Sequence, residues 1–281
     1  MIRRKRFVRV PESERRLQLT ERDHRLLRYV ATYRFVSSRQ IGALVNGSRQ
    51  HIVRRLQRLF HAGYVDRPRS QLRHFSEESM GPMVYALGRK GAKLIGKETG
   101  EKRPFDNQVT QLHLQHALMV SDVMEAFERL VRNSDSPRLQ LEDKLNRDQS
   151  RGMKMRWSVT VRERGHSRRV GLVPDRVFAL DQSGERMIYL LEADRGTMPV
   201  CRRNFAQTSM RRKFFAYVAA WEEGLLTRDL GATRCRVLMI CTSGERLEHL
   251  RAEADRLPRG RGLFVFADLA AVTSNPGSFI L

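Results

Sequence analysis

The sequence predicts a mixed α/β protein in two parts, and three observations carry that prediction. Between residues 18 and 105 lie short amphipathic helical patterns interrupted by two brief extended runs. From 106 to 281 longer helical patterns alternate with apolar runs of strand length, the pattern of an α/β sandwich. Charge divides the chain the same way. Of 53 Lys plus Arg and 31 Asp plus Glu, residues 1–105 hold 25 and 9 (+16), leaving 28 and 22 (+6) for residues 106–281. A first third that basic calls for a polyanion, and nucleic acid is the usual one. Only 8 of the 53 are Lys, an arginine bias that a GC-rich genome also produces, but genome bias does not concentrate net charge at one end.

At 41% hydrophobic residues the chain has material for real cores. No stretch approaches the ~20 apolar residues that span a membrane. Met1-Ile2-Arg3-Arg4-Lys5-Arg6 is basic, without the apolar run of a signal peptide. Residues 1–17 are therefore expected to be a basic flexible arm that can lie along DNA phosphates. Cys201, Cys235 and Cys241 have no metal-like spacing, which points to reduced thiols in a cytoplasmic protein.

Thr20 opens the first helix, with Asp23 at a capping-box offset and Leu26, Leu27, Val30 and Tyr33 on one stripe. Phe35-Val36 breaks it, and Ser37-Ser38 caps a short second helix carrying Ile41, Leu44 and Val45. After Asn46-Gly47, Ser48 is placed to cap a third helix with Ile52, Val53, Leu56, Leu59 and Phe60 inside, closing at Gly63. Its other face carries Arg49, Gln50, His51, Arg54, Arg55 and Arg58. A strand at Tyr64-Val65, a loop with Arg67, Arg69 and Arg73, a strand at Met83–Leu87 and a helix at Arg89–Ile95 complete residues 18–105.

Helix, helix, basic helix, two strands around a basic loop, helix is the order of a winged helix-turn-helix. The run Val84-Tyr85-Ala86-Leu87-Gly88-Arg89-Lys90-Gly91 resembles the second wing strand and following helix of bacterial winged-helix proteins. In that fold the third helix enters the major groove of double-stranded DNA. Arg49 and Gln50 are assigned to base edges, Arg suiting guanine and Gln adenine. Arg54, Arg55 and Arg58 are assigned to phosphates, and Arg67, Arg69 and Arg73 to the wing. One winged helix contacts few base pairs, so a homodimer is also expected.

Residues 106–281 open with a long helix, Asp106 to Val131, whose apolar face holds Val109, Leu112, His116, Met119, Val120, Val123, Phe127 and Leu130. Its phase puts Glu125 on the polar side, while His113 and His116 lie on or beside the apolar face. Strands are expected at Arg138–Glu142, Trp157–Arg162, Gly171–Leu180 and Arg186–Asp194. A helix follows from about Pro199 to Glu223, with Phe214, Val218 and Trp221 as core and Met210, Lys213 and Tyr217 on the next stripe. Arg236–Cys241 (strand), Glu245–Leu257 (helix) and Leu263–Phe266 (strand) close the chain.

The third and fourth of these strands flank Asp181-Gln182-Ser183-Gly184, a turn composition. Paired about it, Leu180 faces Met187, Asp175 falls opposite Glu192, and Asp194 projects to the same side as Glu192. Opposed carboxylates need a positive charge between them. A divalent metal held by Asp175 and Glu192 supplies one; Arg176 or Arg195, in a structural ion pair, is the alternative. No glycine-rich phosphate loop is present, so no nucleotide cofactor is expected.

The strand and helix order, with Pro174-Asp175 on one strand and Glu192 ending the next, resembles the PD-(D/E)xK nuclease superfamily. The resemblance implies that Asp175 and Glu192 hold Mg2+ (or Mn2+) and that a lysine activates water. Asp194 stands where that lysine is expected, and Lys213 on the following helix is the candidate replacement, giving a catalytic set of Asp175, Glu192, Asp194 and Lys213. The whole arrangement, with His116–Val123 and Glu192-Ala193-Asp194-Arg195-Gly196-Thr197, resembles the replication-relaxation family over roughly residues 18–225. That resemblance implies action on DNA of a plasmid, phage or integrative element, in replication, relaxation or mobilisation. Two functions fit: a Mg-dependent endonuclease or nickase, or a non-catalytic replication accessory factor or transcriptional regulator whose nuclease-like domain is a scaffold.

Overall fold

The computed structural model describes residues 6–11, 17–45, 47–74, 81–105, 108–132, 136–148, 155–163, 165–204, 207–231 and 234–280. The chain is mixed α/β and divides into two compact units, Met1–Glu125 and Ala126–Leu281. The division falls inside the long helix, so its first turns belong to the basic unit.

In the first unit α1 (Glu21–Tyr33) starts where Asp23 accepts from the Thr20 N–H at 2.7 Å, the expected capping box. β1 (Val36–Ser37) follows, then α2 (Ser38–Leu44), which Ser37 and Gln40 cap reciprocally. α3 (Arg49–Ala62) begins after Ser48, whose side chain makes no capping bond, and ends on Gly63 in the left-handed region (φ 85°). β2 (Val65–Asp66), a 3-10 turn (Arg69–His74), β3 (Val84–Leu87) and α4 (Arg89–Thr99) complete it. The strands form one sheet in the order β1-β3-β2, so Val36-Ser37, which the sequence reads only as a helix break, is a strand pairing antiparallel with Val84-Tyr85. Residues 6–11 of the basic leader lie against α3 and β2: the Arg9 Nε donates to the Phe60 carbonyl at 2.9 Å, and the guanidinium pairs with Asp66. Residues 1–5 and 12–16 of the expected arm lie outside the described residues.

α5 (Gln111–Arg132) is the long helix; Asp106, its expected start, lies outside the described residues. Two residues depart from its sequence pattern. Leu112 is exposed at 62%, because Leu114 rather than Leu112 packs with Phe35, Val84 and Ala86, and Glu125 is buried, with the Arg39 guanidinium 4.0 Å away.

The second unit is built on a five-stranded sheet in the order β10-β9-β8-β7-β4, from β4 (Arg138–Leu141), β7 (Arg176–Gln182), β8 (Glu185–Asp194), β9 (Cys235–Cys241) and β10 (Phe264–Asp268). β8, β9 and β10 run parallel; β7 pairs antiparallel with both β8 and β4. β8 is central and apolar because both its faces are covered. Phe178 and Tyr189 stack on one face, where α5 supplies Phe127. Ile188, Leu190, Val237 and Met239 pack on the other with Phe214 and Tyr217 of α7 (Met210–Glu222). A short α6 (Glu142–Asp148) follows β4, α8 (Leu225–Leu230) follows α7, and α9 (Gly244–Asp255) and α10 (Leu269–Ser274) flank β10.

Three expectations change here. The run Gly171–Leu180 is two strands broken at Val173-Pro174-Asp175, since proline cannot donate to a ladder; β6 (His166–Leu172) ends before it and β7 begins after it. β5 (Trp157–Glu163) pairs only with β6, in a separate two-stranded ribbon. α7 begins at Met210 rather than Pro199, with Ser209 capping it, and Trp221 in its last turn is 45% exposed while Phe214 and Val218 are buried.

Candidate functional site

The β7–β8 hairpin closes at Ser183-Gly184, both with positive φ (53° and 82°), the conformation that matches the twist of two antiparallel strands. The register aligns Leu180 with Met187 and Arg176 with Leu191. One step further, the Asp175 N–H donates to the Leu191 carbonyl at 3.0 Å, and the Asp175 carboxylate accepts from the Ala193 N–H at 2.8 Å. Asp175 is thereby fastened beside Glu192, at the end of the central strand.

Glu192 is 2% exposed and points toward α7. One of its oxygens accepts from the Lys213 ammonium and the other from the Tyr217 hydroxyl. Lys213 and Tyr217 lie four residues apart on one helix face, so the helix presents both donors together. Burial pushes the Glu192 carboxyl up to about 7, and the Asp175 charge pushes the same way against the opposing pull of Lys213 and Tyr217. Burial, then the Glu192 charge, holds the Tyr217 phenol far above its ordinary range, so it stays a proton donor. Arg176 reaches Glu142 at 3.3 Å.

Asp194 is on the α7 side of the sheet with Glu192 but is engaged elsewhere. The Arg246 Nε of α9 donates to it at 2.6 Å, and the Gly196 N–H at 3.0 Å. Among the described residues no group of three or more His, Cys, Asp or Glu is gathered that could hold a metal ion. The expected trio is therefore a pair, Asp175 and Glu192, with Lys213 and Tyr217. Two neighbouring carboxylates, one of which raises the proton affinity of the other, are a hard, oxygen-only donor set, and that chemistry fits Mg2+ or Mn2+.

In the first unit Arg49, Gln50, Arg54 and Arg58 are exposed on α3, opposite the buried Ile52, Leu56, Leu59 and Phe60, and Arg69 is exposed after β2. Two arginines assigned with them are used inside the fold. Arg55 forks onto the fully buried Asp23 and donates to the Gln18 carbonyl at 2.8 Å. Arg67 is buried, its guanidinium 4.2 Å above the Phe60 ring and 5.3 Å from the Tyr85 ring. The Arg73 side chain lies outside the described residues. His113 is exposed, edge-on to Phe35, and His116 is half-buried.

Sequence reading missed Tyr217 and Arg246 as partners of the acidic residues. The four-residue spacing from Lys213 could have signalled Tyr217. Arg246 follows Asp194 by 52 residues, and no local pattern points to it.

Fold and site together define a mixed α/β protein with a basic helix face in one unit and a carboxylate–lysine–tyrosine cluster at the end of a central strand in the other. The chain belongs to the replication-relaxation family, whose model matches residues 27–233. No curated protein and no solved structure matches it. No described helix is long and apolar enough to cross a membrane.

Proposed function

We propose that this chain binds double-stranded DNA through α3 and cleaves or nicks it at a metal-dependent site formed by Asp175, Glu192 and Lys213. The observation that carries the cleavage reading is the contact of Lys213 with Glu192 beside Asp175: an acid from the bend before β7, an acid from β8 and a lysine from α7 come to one strand end. A buried ion pair at that point is a poor device for stability alone, since an apolar pair of similar volume costs less to bury.

Asp175 and Glu192 would hold the cation. Once bound, the ion would stabilise negative charge on the scissile phosphate and the leaving oxygen. The Ala193 N–H fixes the Asp175 carboxylate, and the Tyr217 hydroxyl fixes one Glu192 oxygen. Lys213 is half-buried, with its Nζ on Glu192 and part of its side chain open to solvent, where it can face a phosphate oxygen. Asp194 is a positioning residue for Arg246.

The helix–strand–helix–helix–strand–strand–helix order and the exposed Arg49, Gln50, Arg54 and Arg58 support reading α3 as the recognition helix of a winged helix. The family's description supports a part in DNA replication and relaxation. A second reading has its own observation: Lys213 and Tyr217 already satisfy both Glu192 oxygens, as a scaffold without turnover would require.

Supercoiled plasmid incubated with the protein in Mg2+, Mn2+ or EDTA separates the two. Metal-dependent nicking or linearisation, lost in Asp175→Ala/Glu192→Ala, is the expected result. Retarded but uncut plasmid with both proteins, on substrates that include the encoding element's own DNA, would sink the nuclease reading and leave the regulator.

A further inference from the structure

We infer that the β5–β6 ribbon is a second DNA-contacting surface, one that grips the phosphodiester backbone in the unit that carries the carboxylate site. This rests on the reading of the chain as a DNA-binding protein, but on residues outside α3. The ribbon's register pairs Ser158 with Gly171, Thr160 with Arg169 and Arg162 with Ser167. Side chains alternate across a strand, so these six share one face, and all six are exposed. The opposite face, with Trp157, Val159, Val161 and Leu172, is buried against α7.

The outward face thus consists of hydroxyls, guanidiniums and a glycine, without an acid or a large apolar side chain. Those are the groups that contact phosphate oxygens in protein–DNA interfaces. The Arg169 Nε donates to the Ser158 hydroxyl at 2.7 Å, which orients the guanidinium along the ribbon. Among the described residues no carboxylate lies within ion-pair distance of Arg162, Arg168 or Arg169. The positive charge continues onto α7. On the ribbon's other face Arg168 comes within electrostatic reach of Arg212 of α7: burial, and then the charge of Arg168, hold the Arg212 guanidinium below its ordinary range. The ribbon's arginines, gathered on one face without an acid, are stabilised by a polyanion. A surface for an acidic protein would need an apolar centre to bury, and this face has none.

The test measures random-sequence duplex affinity against salt for the full chain and three variants. Arg162→Gln/Arg169→Gln removes the charge from the two arginines of the outward face of a ribbon whose core lies on its other face. The corresponding double change to Lys keeps the charge. Arg49→Ala/Arg54→Ala disables α3. Each phosphate contact contributes about 0.9 to the slope of log affinity against log salt, so the Gln variant should lose about two units, and the Lys variant should keep the wild-type slope. The α3 variant should retain salt-sensitive, sequence-independent binding that the Gln changes then abolish. A wild-type slope in the Gln variant, with its melting temperature unchanged, would overturn the inference and leave DNA binding by α3 standing. Absence of DNA binding by the unaltered chain would overturn both.

Discussion

Replacing Arg55 by alanine should destabilise the first unit without weakening the DNA contact proposed for α3. Four donors converge on the Asp23 carboxylate: two nitrogens of Arg55, the Thr20 N–H at 2.7 Å and the Thr20 hydroxyl at 2.9 Å. Arg55→Ala removes two of them from a group with no exposed surface. Breaking one side of a buried ion pair costs about 3–5 kcal/mol. Arg55 is itself 20% exposed, so water can enter in its place and the loss belongs at the low end, about 3 kcal/mol. For a unit of this size that lowers the melting temperature by roughly 10 °C. Arg54→Ala and Arg58→Ala remove exposed side chains and should each cost under about 0.5 kcal/mol. The assays are thermal unfolding by far-UV circular dichroism and DNA affinity against salt. Arg54→Ala should lower the salt slope by about one unit, and Arg55→Ala should leave it unchanged. If Arg55→Ala cost less than about 1 kcal/mol and also lowered the slope, Arg55 would belong to the DNA face and the reasoning from Asp23 would be refuted. The pair also sets a pH dependence. Burial opposes the Asp23 charge, but Arg55 and Thr20 outweigh it and hold the carboxyl below its ordinary 3.8. The folded state therefore binds fewer protons than the unfolded one in that range. The stabilisation is fully present above about pH 4 and is lost as pH falls through the folded value, so Arg55→Ala should flatten the acid limb of stability against pH.

Glu192 should show the opposite sign. Its folded pKa of about 7 lies above the ordinary 4.5, so stability declines as pH rises between the two values. Glu192→Gln should remove that decline in denaturant titrations, stabilise the protein at pH 8 by on the order of 1–3 kcal/mol, and abolish any metal-dependent cleavage. Mn2+ uptake followed by paramagnetic resonance should weaken below about pH 7, as the proton and the cation compete for the same carboxylate. Asp194→Asn should keep Mn2+ uptake while lowering stability by about 1–3 kcal/mol, since it weakens the bond to Arg246; loss of uptake would return Asp194 to the proposed metal site. Gly91→Ala should cost more than about 1 kcal/mol, because a Cβ there would lie 2.0 Å from the Tyr64 carbonyl oxygen.

What the sequence determined by itself is the content of each element and the register of the hairpin that builds the site. The apolar positions of α3 and the glycine that ends it, the capping box at Thr20 and the Ser183-Gly184 turn all act between residues a few positions apart. Their physics is therefore present in the local pattern. Once that turn is placed, Leu180 meets Met187 and Asp175 arrives beside Glu192 without reference to the rest of the chain. The four-residue spacing of Lys213 and Tyr217 is equally local, although only α7 packing on β8 aims that face at Glu192. Tertiary structure decided which charges are available. Arg54, Arg55 and Arg58 are indistinguishable in sequence; Arg55 differs because α1 brings Asp23 under it from 32 residues away. Arg246 claims Asp194 from 52 residues away, reducing an expected trio of carboxylates to a pair. Glu125 is buried and Trp221 exposed against the phase of their helices. Helical phase gives the direction in which a side chain points, and only the assembled neighbours decide whether protein or water lies there.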